Sequence, residues 1–188
     1  MKEAQAGQRT VFFVDAAHFV YGSFLGYLWT LTRLFVKTGS GRKRFNVLVA
    51  LHAVTRQVIV ETNDGYINAE TVCQLLRQIA RRGFRTPITL VMDNARYQKC
   101  KLVRALADEL GIELLFLPAY SPNLNLIERF WKFVKKRALA SRYHEDFAAF
   151  SQAITDCIDN ATTIHKAELK TLLTLNFQTF DNAKVLTE

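Results

Sequence analysis

The chain is poor in the residues that staple or divide a protein. Its three cysteines, Cys73, Cys100 and Cys157, are odd in number, far apart and form no CxxC pair. That excludes a disulfide framework and a thiolate zinc knuckle, and it fits a reducing compartment. Three prolines and eight glycines are scattered over 188 residues, so no linker, low-complexity tract or repeat divides the chain. There is no GxSxG, Walker loop, HExxH or GxGxxG, which removes the commonest hydrolase, nucleotide-binding and zinc-protease signatures. Met1 to Arg9 is polar and has no apolar run of the kind a secretory leader needs. The longest stretch free of Asp, Glu, Lys and Arg, Ala16 to Thr32, has 17 residues. It is shorter than the roughly 20 that span a bilayer and carries His18, Gly22, Ser23 and Gly26. It reads as a buried, aromatic-rich connector, and no membrane partner is expected.

Acidic residues are also in short supply, 17 against 25 lysines and arginines, for a formal net charge of +8. Such a balance favours nucleic acid as a partner, though charge alone establishes only non-specific attraction. With 49% hydrophobic residues there is material for one sizeable core, so residues 1–188 are expected to form a single domain. Residues 1–10 read as a short N-terminal tail and 138–188 as a helical C-terminal portion.

Periodicity supplies the elements. Val11 to Val14 is a buried strand ending on Asp15. Phe45 to Val54 and Gln57 to Thr62 are β-rich and close enough to form a hairpin around Thr55-Arg56. Asn68 to Arg82 is helical, with Val72, Leu75, Leu76 and Ile79 on one face and Gly83 placed to stop it. Ile88 to Met92 is a second buried strand ending on an aspartate, Asp93. Leu102, Val103, Leu106 and Leu110 mark a helix closed by Gly111, and Ile112 to Leu117 a strand broken by Pro118. Ile127, Phe130, Trp131, Val134 and Ala138 form a helical stripe, and Phe147, Phe150, Ile154, Ile158 and Ala161 another. From Glu168 onward the pattern is ambiguous. Five strands alternating with helices imply an α/β fold, a central mixed sheet flanked by helices.

Functional groups in such sheets gather beyond the carboxyl ends of strands. Asp15 and Asp93 both stand at such ends, and Glu128 enters on a helix that follows another strand. Glu128 has a plainer reading: with Asn125 as N-cap it would sit at the capping-box position. Asp93-Asn94 likewise suits a turn. Taken together, three carboxylates without a basic partner would repel unless divalent cations held them ionised. Mg²⁺ or Mn²⁺ take oxygen ligands, and two such ions about 4 Å apart can activate an attacking oxygen and stabilise a leaving one in phosphodiester chemistry. The four histidines, His18, His52, His144 and His165, are isolated and read as structural or surface residues. Arg42, Lys43 and Arg44 in the Gly/Ser turn, and Arg129, Lys132, Lys135 and Lys136 on the Glu128 helix, are candidates to neutralise phosphates.

At this point the residues resemble a known family. Val91-Met92-Asp93-Asn94 and Tyr120-Ser121-Pro122-Asn123-Leu124-Asn125-Leu126-Ile127-Glu128-Arg129-Phe130-Trp131 look like the second and third motifs of DDE transposases, closest to bacterial insertion-sequence enzymes related to mariner elements. Val14-Asp15-Ala16-Ala17-His18-Phe19 looks like the first. The 34 residues between Asp93 and Glu128 match that group's spacing. Ala16, the segment Arg96-Tyr97-Gln98 and Leu126 depart from the group's common glutamate, histidine and proline.

The resemblance implies an RNase H-like fold and a site of two Mg²⁺ or Mn²⁺ ions bound by Asp15, Asp93 and Glu128. It implies cleavage of DNA at transposon ends and strand transfer into a target by a dimer, in the cytoplasm of a bacterium at its nucleoid. In such enzymes helix-turn-helix modules precede the first aspartate. Only Met1 to Thr10 stand before that strand here, so the module is expected to be absent from this chain and supplied by a separate subunit or an N-terminal extension. Two other readings share the fold: a catalytically silent nucleic-acid-binding module and a metal-dependent ribonuclease.

Overall fold

The computed structural model describes residues 1–22, 30–32, 43–63, 65–118 and 124–177. Five strands form one mixed sheet in the order β3-β2-β1-β4-β5: β1 (Thr10–Val20), β2 (Arg44–His52), β3 (Val58–Asn63), β4 (Ile88–Met92) and β5 (Ile112–Phe116). The first three are antiparallel neighbours, while β4 and β5 run parallel to β1. Antiparallel β2 and β3 need only a short turn, whereas each parallel step needs a crossover. The crossovers are α2 (Ala69–Arg81) and α3 (Lys101–Glu109).

Alternation along the strands divides the core in two. Phe12, Val14, Leu48, Ala50, Leu90 and Met92 pack against α2 and α3. Val11, Phe13, Phe19, Val47, Val49, Leu51 and Val91 face the opposite way. They meet α4 (Ile127–Val134), α5 (Phe147–Asp159) and α6 (Lys166–Leu172). The result is three layers with the sheet in the middle.

Local chemistry explains most boundaries. Asn68 caps α2 by accepting from the Thr71 amide, and Thr71 answers through its hydroxyl, a reciprocal cap. Gly83 and Gly111 both take φ +66 directly after helices, the left-handed conformation that ends a helix most cheaply in glycine. In the β2–β3 turn the imidazole of His52 accepts from the amides of Val54 and Thr55, and Arg56 adopts φ 64. Side-chain hydrogen bonds thus replace the Asn-Gly turn that the sequence lacks.

Three expectations are refined or corrected. The short N-terminal tail, residues 1–10, carries a helical turn, α1 (Lys2–Gln5), that buries Ala4, and its last residue, Thr10, already belongs to β1. Ala16 to Val20 are not connector but the second half of β1, paired with Arg44 to Leu48. After α4 the chain widens into a π-turn over Lys135–Leu139, where Ala140 N–H donates to Lys135 C=O at 2.9 Å. That extra residue leaves Lys135, Lys136 and Arg137 exposed while Ala138 and Leu139 are buried. The ambiguous region from Glu168 contributes most of α6. The rest of the connector (23–29), most of the Gly/Ser turn, residues 119–123 of the Tyr120 stretch, and residues 178–188 lie outside the described residues.

Candidate active site

β1 outruns its neighbour. Its parallel register with β4 ends at Val14 beside Met92, while its pairing with β2 continues to Val20. Asp15 is therefore mid-strand and not at a strand end, as the sequence had suggested. It is nonetheless the first residue past the end of β4, and Asp93 is the first residue after Met92. The two aspartates follow one register pair, on the two strands that run parallel. Each stands two residues beyond an apolar residue, Phe13 or Val91, of the face that α4 covers.

That location shapes the electrostatics. Burial pushes the Asp15 carboxyl up to about 6, and the nearby charges of Asp93 and Glu128 push in the same direction. Two hydrogen bonds oppose the shift, one from the Ala16 backbone and one from the Trp131 indole. Trp131 Nε1–H donates to Asp15 Oδ2 at 2.9 Å. Asp93 Oδ1 accepts from the Ala95 amide at 3.1 Å, an Asx-type turn, and the Asn94 amide donates to the Leu117 carbonyl. These contacts pin the ends of β4 and β5 together at the mouth of the site.

Glu128 is not a capping-box residue. The N-cap of α4 is Leu126. Asn125 is buried and accepts from Ile127 N–H at 3.3 Å, so Glu128 occupies the second helical position. Asn125 is drawn inward because its neighbours Leu126 and Ile127 are fully buried. An acidic group in a first helical turn is favoured by the helix dipole, and the Glu128 field reaches Asp15.

The donor set suits a hard divalent cation: three carboxylates, none of them in an ion pair among the described residues. No three acidic, imidazole or thiol groups among those residues stand close enough to hold one ion between them. Like charges gathered near one end of neighbouring strands repel without a counter-ion.

The basic candidates separate. Arg42 lies outside the described residues. Lys43 Nζ stands 5.6 Å from the centre of the Phe147 ring, and Arg44 is exposed at the start of β2. Lys132, Lys135 and Lys136 are exposed. Arg129 is committed elsewhere: its guanidinium donates to the Thr174 carbonyl at 2.9 Å, the Thr174 hydroxyl at 3.3 Å and the Asn176 carbonyl at 3.1 Å. Beside the site stands Tyr97, whose phenol is raised to about 12 by burial and by the charges of Asp93 and Asp15. Neither Tyr97 nor Trp131 was singled out from sequence as a site residue. Trp131 had one signal, its position one turn after Glu128 and on the same helix face.

The mixed five-stranded sheet between two helical layers is an RNase H-like fold. The chain belongs to the DDE superfamily endonuclease family, whose model matches residues 10–151. No curated protein matches it in sequence. Among solved structures it resembles the simian T-cell lymphotropic virus intasome, with TM-score 0.57, 16% identity, and coverage of 82% of this chain and 48% of that one. For the Mos1 transposase paired-end complex with the left transposon end the values are 0.55, 17%, 80% and 52%. For the HTLV-2 integrase catalytic core domain in complex with magnesium they are 0.53, 14%, 82% and 86%. The chain thus spans about half the length of the first two proteins and most of the isolated core domain.

Proposed function

We propose that this chain is the catalytic domain of a transposase that cuts DNA at transposon ends and joins them to a target, with Asp15, Asp93 and Glu128 as its metal ligands. The observation that carries the reading is the buried Asp15 carboxylate beyond the end of β4, which feels the charges of Asp93 and Glu128 and is met by a neutral indole N–H, with no ion pair to any of the three acids among the described residues. Two bound Mg²⁺ or Mn²⁺ ions would supply activation of the attacking oxygen and stabilisation of the leaving one. The chain's own contribution is to hold the acids on rigid elements: Asp15 on a strand paired with β2 on both sides of it in sequence, Asp93 in a hydrogen-bonded turn, Glu128 on a helix with a buried stripe. Lys132, Lys135 and Lys136, exposed on the same helix and its π-turn, would neutralise DNA phosphates, with Lys43 and Arg44 flanking.

Phosphate contacts of this kind position a duplex without reading its sequence. Recognition of transposon ends would therefore fall to a helix-turn-helix module in a partner subunit or an extension, and the working particle would be a dimer on DNA in the bacterial cytoplasm. Among the described residues no helix is long and apolar enough to cross a membrane.

The test is nicking of labelled duplex DNA with Mg²⁺, run beside Glu128→Gln. Loss of cleavage with thermal stability nearly unchanged in the absence of metal supports the assignment. Retained cleavage by the glutamine variant sinks it.

A further inference from the structure

We propose that Trp131 is a positioning residue for the metal site, its indole N–H fixing the Asp15 carboxylate in the orientation that receives a divalent cation. The proposal rests on the reading of Asp15 as a ligand and adds a role for a residue which that reading leaves as core.

Trp131 is almost wholly buried, at 4% exposure, and its ring is held on two sides. Phe19, on the same face of β1 as Asp15, meets it edge-on at 5.9 Å and 74°, and Phe130 lies 5.5 Å away at 51°. An indole has a single N–H donor and no acceptor, so a fixed ring aims one hydrogen bond in one direction. That bond ends on Asp15 Oδ2 at 2.9 Å. It takes one lone pair and the Ala16 backbone another, which leaves the rest to a cation.

The donor's neutrality matters. A lysine or arginine in its place would supply the counter-charge itself and compete with a metal ion, whereas the indole orients the carboxylate and leaves the negative charge uncompensated. Because Trp131 follows Glu128 by one helical turn, the same bond ties the strand carrying the first acid to the helix carrying the third. Hydrogen bonds that orient a ligating group are worth 10- to 100-fold in metal affinity in other sites.

A buried tryptophan that merely satisfies its own N–H would behave differently, and the experiment separates the two cases. Mn²⁺ binding to the full chain is followed by electron paramagnetic resonance, with melting temperatures recorded without metal. Trp131→Phe is expected to weaken Mn²⁺ binding by about 10-fold. Phe133→Leu, a core change on the same helix, should lower the melting temperature and leave Mn²⁺ affinity unchanged. In an Asp15→Asn background Trp131→Phe should cost no further affinity.

A second readout needs no change at Trp131. In a Trp29→Phe protein the remaining indole emission should shift on Mg²⁺ saturation, and Asp15→Asn should abolish the shift. Unchanged Mn²⁺ affinity in Trp131→Phe, an equal loss in Phe133→Leu, or emission that ignores Mg²⁺ overturns the proposal. If the wild-type chain binds no Mn²⁺ at all, the metal-site reading itself falls and takes this role with it.

Discussion

The two faces of the sheet begin alike along β1 and part at one residue. On the α2/α3 face, Phe12 and Val14 continue into Leu48, Ala50, Leu90 and Met92 in one apolar cluster. On the α4 face, Val11 and Phe13 begin the same way, but the next residue in the alternation is Asp15. Further along the first face the polar pair His18 and Asn46 satisfy each other by a hydrogen bond, and no ionised carboxylate interrupts its packing on β1. The second interrupts its packing with a partly buried acid whose raised pKa is a standing cost to the fold. A group kept at such a cost on an otherwise apolar face is what the proposed metal-binding role of Asp15 would explain.

Substitutions on the two faces should therefore have opposite signatures. The largest effect is expected at Glu128→Gln, which should abolish Mg²⁺-dependent nicking while moving the metal-free melting temperature little. On the other face, Leu76→Ala removes a fully buried side chain and should cost about 2–5 kcal/mol in chemical denaturation, with cleavage per folded molecule retained. If both variants lost stability alike, the division between the faces would fail.

Asp15→Asn sharpens the contrast with a gain. The folded carboxyl titrates at about 6 against an ordinary 3.8, so between those values the folded state holds its proton more tightly than the unfolded one. Wild-type stability should fall as pH rises through that window, by roughly 1–3 kcal/mol once above it. The asparagine variant should lack this fall and melt higher than wild type at pH 7 without metal. Mg²⁺ should then raise the melting temperature of the wild type and not that of the variant. A variant less stable than wild type at pH 7 would mean that Asp15 contributes more as a hydrogen-bond acceptor than it costs as a buried charge.

The smallest effect concerns the exposed rim. Changing Lys132, Lys135 and Lys136 together to glutamine should weaken duplex binding without altering stability. If each lysine meets one phosphate, the slope of log affinity against log salt should fall by roughly 2 to 3. Arg129→Gln should barely change that slope, since its guanidinium is spent on residues 174–176.

How far the sequence could be read follows from where the deciding contacts lie. Asn68, Gly83 and Gly111 act on their own neighbourhoods, and the helix limits they imply agree with α2 and α3 to within a residue or two. The mixed five-stranded sheet was likewise legible from order and periodicity. Asp15 was misjudged as a strand end because what extends β1 is β2, some 30 residues later, and no local signal reveals a partner. Asn125 looked like a cap until burial of Leu126 and Ile127 turned it inward. Arg129 read as a solvated or DNA-facing charge because its acceptors are 45 and 47 residues away. The π-turn left no trace, since Lys135 to Leu139 would sit equally well in an α-helix. For the candidate site, motif spacing named the three acids, but the indole that holds Asp15 was hidden inside an ordinary apolar stripe.

The overhang of β1 beyond β4 also sets how its backbone meets solvent. Val11 C=O and Tyr21 N–H both bond toward β2, while Thr10 N–H bonds to Pro87 beside β4, so odd-numbered amides point to β2 and even-numbered ones to β4. Past Val14 the even-numbered amides find no β4 to accept them. Ala16 N–H turns to the Asp15 carboxylate, and His18 and Val20 face a side with no strand among the described residues. Amide exchange along this one strand should thus alternate, slow at Ala17 and Phe19 and fast at His18 and Val20. Among the described residues, the stretch beside the acids is half a sheet in its hydrogen bonding, paired with β2 and with no strand on its other side.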